Sequence, residues 1–173
     1  MKSKDTFVQI YQRYYPEIYR FVFSVVRSEN EAKELTQDTF LALLEELQKR
    51  EMPPDKLRPW IYRVSKNKSL NVLRTPKHAA AEAGQLGATH NTPEVAMSQK
   101  QEANAVDDVM NRLNQRDATL LRLYALELSY EEIAEVVGVE RSSVGKMLNR
   151  AKKAFRTTFE KRHQTLSKML NEG

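Results

Sequence analysis

The chain has 173 residues, a formal net charge of +5, no Cys and three His. Without Cys there is no disulfide framework and no thiolate metal site, and His78, His90 and His163 are too scattered for a ligand pattern, so neither metal nor cofactor is expected. No apolar run approaches the roughly 20 residues needed to span a bilayer, and the opening residues lack an apolar stretch ending in a small-residue cleavage site. A cytoplasmic protein of one domain or two small ones is the expectation.

Leu, Ala, Glu, Lys, Arg and Gln dominate, Gly is scarce, and apolar alternation is nowhere sustained, so the sequence predicts an all-α fold. From Thr6 to Val26, Phe7, Ile10, Tyr11, Tyr14, Tyr15, Ile18, Tyr19, Val22 and Val25 recur at helical spacing. Pro16 is expected to kink this segment or to open a second helix. Ser28 with Glu31 forms a capping-box pattern that opens a helix to about Gln48. Phe40, Leu43, Leu44 and Leu47 give that helix a core face. A second stripe, Glu34, Asp38, Leu41 and Glu45, is acidic with an outward Leu, the character of a docking surface for a basic partner. No His or third acid joins Glu34 and Asp38 at a metal-ligand offset.

Lys49 to Leu57 reads as a loop stiffened by Pro53 and Pro54, with Pro59 in the first turn of the next helix. That helix, WIYRVSKNKSLNVLR, buries Trp60, Ile61, Val64 and Leu73. Around it stand Lys56, Arg58, Arg63, Lys66, Lys68, Arg74 and Lys77, with no Asp or Glu between Asp55 and Glu82. Aromatic rings among unopposed cations suit a nucleic-acid strand, bases on rings and phosphates on charges. Packing in the core is the competing role for Trp60 and Tyr62. The stretch from Thr75 to Thr92 has two Gly, few large apolar residues and flanking Pro, and reads as a flexible linker. Extended, it reaches roughly 60 Å. Thr92 then caps a helix with Pro93 in its first turn, running to about Leu113, and another helix covers Asp117 to Glu127. Two small helical domains, 1–74 and 93–173, are expected on either side of a linker at 75–92.

The segment SYEEIAEVVGVERSSVGKMLNRAKKAF, from Ser129 to Phe155, is a helix-turn-helix pattern. Ser129 and Glu132 make a capping box, Ile133, Ala134 and Val137 an apolar stripe, and Gly138 a left-handed stop. The second helix begins near Arg141 and buries Val144, Leu148, Ala151 and Phe155. Its other face carries Ser142, Lys146, Asn149, Arg150 and Lys153, as a major-groove reader requires. From Arg141 to Lys168 only Glu160 opposes the basic residues, whereas the preceding helix is acidic.

Three segments, EAKELTQDTFLALLEEL, RPWIYRVSKNKSLNVLR and LELSYEEIAEVVGVERSSVGKMLNRAKKAFR, together resemble the extracytoplasmic-function group of bacterial sigma factors, in the family's order. The resemblance covers nearly all of the chain. It implies that core RNA polymerase and promoter DNA are the partners, that no small-molecule substrate is involved, and that the protein is not an enzyme. Leu35, Gln37, Asp38 and Phe40 match the segment that docks on the polymerase clamp, and Leu41 and Glu45 extend that surface. Trp60, Tyr62, Arg63 and Asn67 match the minus-ten segment, to which Arg58 and Lys66 add charge. Lys146, Asn149 and Arg150 match the base-facing side of the minus-thirty-five helix, Ser143 and Lys152 its phosphate contacts. Gly145 stands where the family commonly has Lys or Arg, Glu140 where it usually has a capping Ser or Pro, and Pro53 and Pro54 replace a Gly-Ser-like loop. Family members are commonly held inactive by an anti-sigma factor, which the resemblance admits as a further partner. The competing reading is a stand-alone helix-turn-helix regulator, which would need no strand-opening helix. An enzyme acting on nucleic acid would need an acid cluster or a His-metal constellation, which the sequence lacks.

Overall fold

The computed structural model describes the backbone of residues 2–75 and 104–171, and the side chains of 6–75 and 104–165. Every described element is a helix: α1 Lys2–Val26, α2 Glu29–Lys49, α3 Pro54–Leu73, α4 (residues 104–112), α5 Gln115–Ala125, α6 Tyr130–Val137 and α7 Arg141–Asn171. The linker expected at 75–92 and the cap at Thr92 and Pro93 lie outside the described residues, apart from Thr75. The helices group into two compact units. One takes residues up to 86 together with 123–141, the other 87–122 with 142–173.

In the first unit α1, α2 and α3 pack on one another, and α6 packs on α3. Ile18, Phe21, Val22, Phe40, Leu43, Ile61 and Tyr62 form the core. Phe21 meets Tyr62 edge to face at 5.2 Å and Phe40 meets Tyr11 at 4.9 Å, geometries that aromatic quadrupoles favour. Along α1 the rings of Phe7, Tyr11, Tyr15, Tyr19 and Phe23 follow one another at i, i+4. The buried hydroxyls of Thr36, Thr39 and Ser69 each donate to the carbonyl four residues back, so no helix position carries an unmet polar group there.

At Pro16 the alternative of a second helix is corrected, and so is the place of Pro59 in the first turn of its helix. α1 runs through Pro16 as one helix. Pro16 and Gln12 are both exposed, so the carbonyl that the missing N–H leaves free lies on the solvent side of the helix. α3 begins at Pro54 rather than near Trp60, because Pro54 supplies the ready-made first-turn geometry. Pro59 is therefore inside the helix, not in its first turn, and the loop before α3 shortens to residues 50–53.

Within α3, Tyr62 is fully buried and its hydroxyl donates to Glu17 on α1 at 2.7 Å. Burial, then that hydrogen bond, then the Glu17 charge push the phenol well above its ordinary range. Glu17 also accepts from Arg58 Nε at 2.8 Å. Of the two roles the sequence leaves open for Tyr62, core packing and strand contact, the structure shows the core one: the ring fills the junction of α1 and α3.

In the second unit Val109, Leu120, Val144, Leu148 and Ala151 are fully buried. Asn114 starts α5 in a reciprocal cap. Its side-chain oxygen accepts the Asp117 N–H at 2.9 Å, and its amide donates to Asp117 Oδ2 at 2.7 Å. The sequence reading placed this start at Asp117, two residues after the first helical residue, Gln115. α6 ends as its sequence predicts. Ser129 and Glu132 form both halves of the capping box, and Gly138 takes φ +73 as the left-handed C-cap.

Two stability effects follow. Gly138→Ala meets no neighbour within 4 Å, so its cost is backbone strain alone, about 1–2 kcal/mol by denaturant unfolding, with Gly138→Asn costing less. Tyr62→Ala costs about 3–5 kcal/mol by opening a core cavity, whereas Tyr62→Phe, which loses only the Glu17 hydrogen bond, costs about 1 kcal/mol; thermal or urea unfolding distinguishes the two.

Candidate functional site

On α2 the helical period separates two faces. Leu35, Thr36, Thr39, Phe40 and Leu43 are buried. Gln37, Asp38 and Glu45 are exposed, and Leu41 is 58% exposed in their midst. Of the docking residues expected from sequence, Leu35 and Phe40 therefore build the helix into the bundle. Gln37, Asp38, Leu41 and Glu45 form the outward surface. Leu41 is thus a large apolar side chain that stands in water among acidic neighbours and takes no part in the core.

On α3 the expected nucleic-acid residues divide in the same way. Arg63 and Asn67 are exposed, Trp60 is half-buried and Tyr62 is in the core. Arg58 and Lys66 are half-buried and engaged within the same unit. The Arg58 guanidinium donates to Glu17, to Glu132 Oε2 at 3.1 Å and to the Leu126 carbonyl at 3.1 Å. Burial alone would lower its proton affinity. The hydrogen bond and charge of Glu17, then the charge of Glu132, reverse that and leave the pKa raised. Lys66 Nζ donates to the Val136 carbonyl at 2.8 Å, and burial, then Arg63, pull its pKa down. Lys56 pairs with Glu135. None of these contacts is visible in local sequence spacing, since the nearest, Arg58 to Glu17, joins residues 41 positions apart and the others lie farther still.

On α7, Val144, Leu148 and Ala151 are buried, while Ser142, Ser143, Lys146, Asn149, Arg150 and Lys153 are exposed. Lys146, Asn149 and Arg150 share a face at i, i+3, i+4. Arg150 donates to Asp117 Oδ1 at 3.0 Å. Asp117 is itself buried and held by Asn114, so it fixes the guanidinium from behind; sequence reasoning missed this positioning group, because nothing in the local pattern pairs α5 with α7. Arg141, in the first turn, pairs with Glu131. Lys152 is half-buried and, with Leu121, Phe155, Arg156 and Phe159, lines an open pocket of about 340 Å³.

Among the described residues no group of three or more His, Cys, Asp or Glu could hold a metal ion. No described helix is long and apolar enough to cross a membrane.

Comparison with known proteins places these faces in a family. Residues 10–78 match the family described as Sigma-70 region 2, and residues 103–155 match Sigma-70, region 4. RNA polymerase sigma factor YlaC of Bacillus subtilis is 30% identical over 158 residues, covering 88% of this chain and 91% of that protein. ECF RNA polymerase sigma factor SigM of the same organism is 23% identical over 90% of this chain and 96% of its own length. In fold, the chain is similar to the sigma factor RpoE of Bartonella quintana, crystallised with the anti-sigma factor NepR, at a TM-score of 0.68 and 17% identity over 90% of this chain and 97% of that one. The match to region 2 removes the stand-alone regulator as a reading, since such a regulator has no use for a strand-opening helix. With both regions present in order along nearly the whole length, the chain belongs to the extracytoplasmic-function group of the sigma-70 family of RNA polymerase sigma factors.

Proposed function

We propose that this sigma factor docks on core RNA polymerase through the outer face of α2, Gln37, Asp38, Leu41 and Glu45, and works in the cytoplasm with no chemistry of its own. Binding core polymerase and directing initiation at specific promoters is the activity of the family and of this chain. The observation that carries the assignment of the face is Leu41, left 58% exposed among acidic neighbours on a helix whose opposite side is core. Residues 1–74 would bind polymerase and melt the minus-ten element, 75–92 would tether, and 93–173 would read the minus-thirty-five element. On α3, Arg58, Trp60, Arg63, Lys66 and Asn67 would face the opened strand. A stress or envelope regulon and control by an anti-sigma factor are proposed on the same family grounds.

On α7 the division of labour is between base and backbone contacts. Lys146, Asn149 and Arg150 would reach base edges, and Arg141, Ser142, Ser143, Lys152 and Lys153 the phosphates. Arg150 arrives with its orientation set by Asp117, which suits a planar group that recognises guanine by two parallel hydrogen bonds.

Asp38→Arg should reduce co-purification with core polymerase by about tenfold or more through like-charge repulsion at the interface, with thermal unfolding nearly unchanged; undiminished binding would make the face mere solvated surface. In run-off transcription on a randomised upstream element, Asn149→Ala and Arg150→Ala should flatten base preference by about 1–3 kcal/mol at one or two positions. Lys153→Ala should instead weaken every sequence alike and lower the salt slope by about 1. Identical base preferences in all three variants would remove α7 from sequence reading.

A further inference from the structure

We propose that Asp117 is a specificity-determining residue that never touches DNA: it holds the Arg150 guanidinium toward the base edges and withholds it from the phosphates, lowering affinity while raising discrimination. The proposal rests on the assignment of the outer face of α7 to base reading and deepens it.

One carboxylate faces two ways. Asp117 is the third residue of α5, and its side chain is 3% exposed. Oδ2 accepts from the Asn114 amide at 2.7 Å, and the Asp117 N–H donates to Asn114 Oδ1 at 2.9 Å. These two bonds belong to the start of α5. Oδ1 is engaged by α7, where Arg150 Nη2 donates to it at 3.0 Å. The Arg150 side chain is 61% exposed, on the face it shares with Lys146 and Asn149. A buried, anchored acceptor is thus joined to a cation that stands in water.

Bracing the two helices does not call for such a pair. Val144, Leu148 and Ala151 already bury the inner side of α7, and Asn114 already caps α5. An exposed cation repays only part of the desolvation of a buried carboxylate. What the pair changes is the cation. A solvated arginine samples many rotamers, and phosphate contacts carry no sequence information. Committing one of the five guanidinium N–H donors to Oδ1 restricts the plane of the fork. The donors that remain can then meet a guanine edge with two parallel hydrogen bonds. Charge acts in the same direction. A carboxylate beside Arg150 cancels it as a phosphate neutraliser, so one fewer counterion is released on binding. Sequence-independent affinity falls and the base-dependent part is kept, which raises the ratio between specific and non-specific binding.

The test uses holoenzyme reconstituted from core polymerase and the full-length chain. Duplexes with a randomised upstream element are sequenced from the bound fraction across a salt series. Asp117→Asn keeps the side-chain shape and an acceptor for Asn114 but removes the charge. At the one or two positions that Arg150→Ala flattens, its base preference should fall by about threefold or more, with other positions unchanged. Binding to non-preferred sequences should rise, and the salt dependence should steepen by about 0.9, as one more cation meets phosphate. In an Arg150→Ala background, Asp117→Asn should alter no preference, because the side chain it acts through is gone. Asn114→Ser keeps a capping oxygen yet withdraws the amide from Oδ2. It should relax the same positions by a smaller factor, and it carries the test if Asp117→Asn does not fold.

Weaker binding to all sequences alike, with preferences and salt slope unchanged, makes Asp117 a brace and overturns the proposal. So does an equal effect of Asp117→Asn with and without Arg150. Unchanged preferences in Arg150→Ala itself remove this residue from base reading, and the proposal falls with that assignment. Flattened preferences in Arg150→Ala beside intact ones in Asp117→Asn and Asn114→Ser overturn the role of Asp117 alone.

Discussion

One guanidinium ties the first unit together. Arg58 leaves α3 between a carboxylate on α1 and a carboxylate on α6, with a backbone carbonyl as third acceptor. An arginine spreads five donors over a planar fork and so meets three separated acceptors, whereas a lysine has its three donors on one nitrogen and would have to reach all three from a single point. Glu17 in turn has Tyr62 as a second donor, so a phenol, a guanidinium and two carboxylates are satisfied together. Such a cluster is costly to break from one side, because the group left behind is charged and half out of water. The position of α6 on α3 depends on it.

Elsewhere the helices follow a simpler rule, in which each is sided and the side away from the core faces water. α2 shows this with Leu41 outward and Leu43 inward, two positions apart. α7 shows it with Leu148 buried beside an exposed Asn149. The inward residues fix the rotation of each helix about its axis, and that rotation alone determines which side chains face outward. The outward surfaces are thus set by core packing as much as by their own residues: Leu35 and Phe40 orient the outer face of α2 without lying on it.

Sequence made the local features legible because they depend on residues close in the chain. The capping box of Ser129 and Glu132, the left-handed stop at Gly138 and the sidedness of α2 and α7 are all set within a turn or two. Tyr62 was not decidable in the same way: its helical position suits core and strand contact equally, and only the arrival of Phe21 and Glu17 from α1 settles its place. Pro54 and Pro59 both fit the start of a helix, and the packing of Leu57 and Pro59 inward favoured the earlier one. The Arg58 cluster was invisible, since no periodicity joins residue 17 to residues 58 and 132. Asn114 was missed because its partner Asp117 resembles a cap in its own right.

Glu132 has two tasks that do not exclude one another. Its Oε2 accepts the Ser129 N–H at 2.8 Å, closing the capping box, while the same carboxylate faces Arg58. Letting go of Arg58 leaves the cap in place, so α6 can depart from α3 as an intact helix. No turn has to melt and no backbone hydrogen bond of α6 has to break.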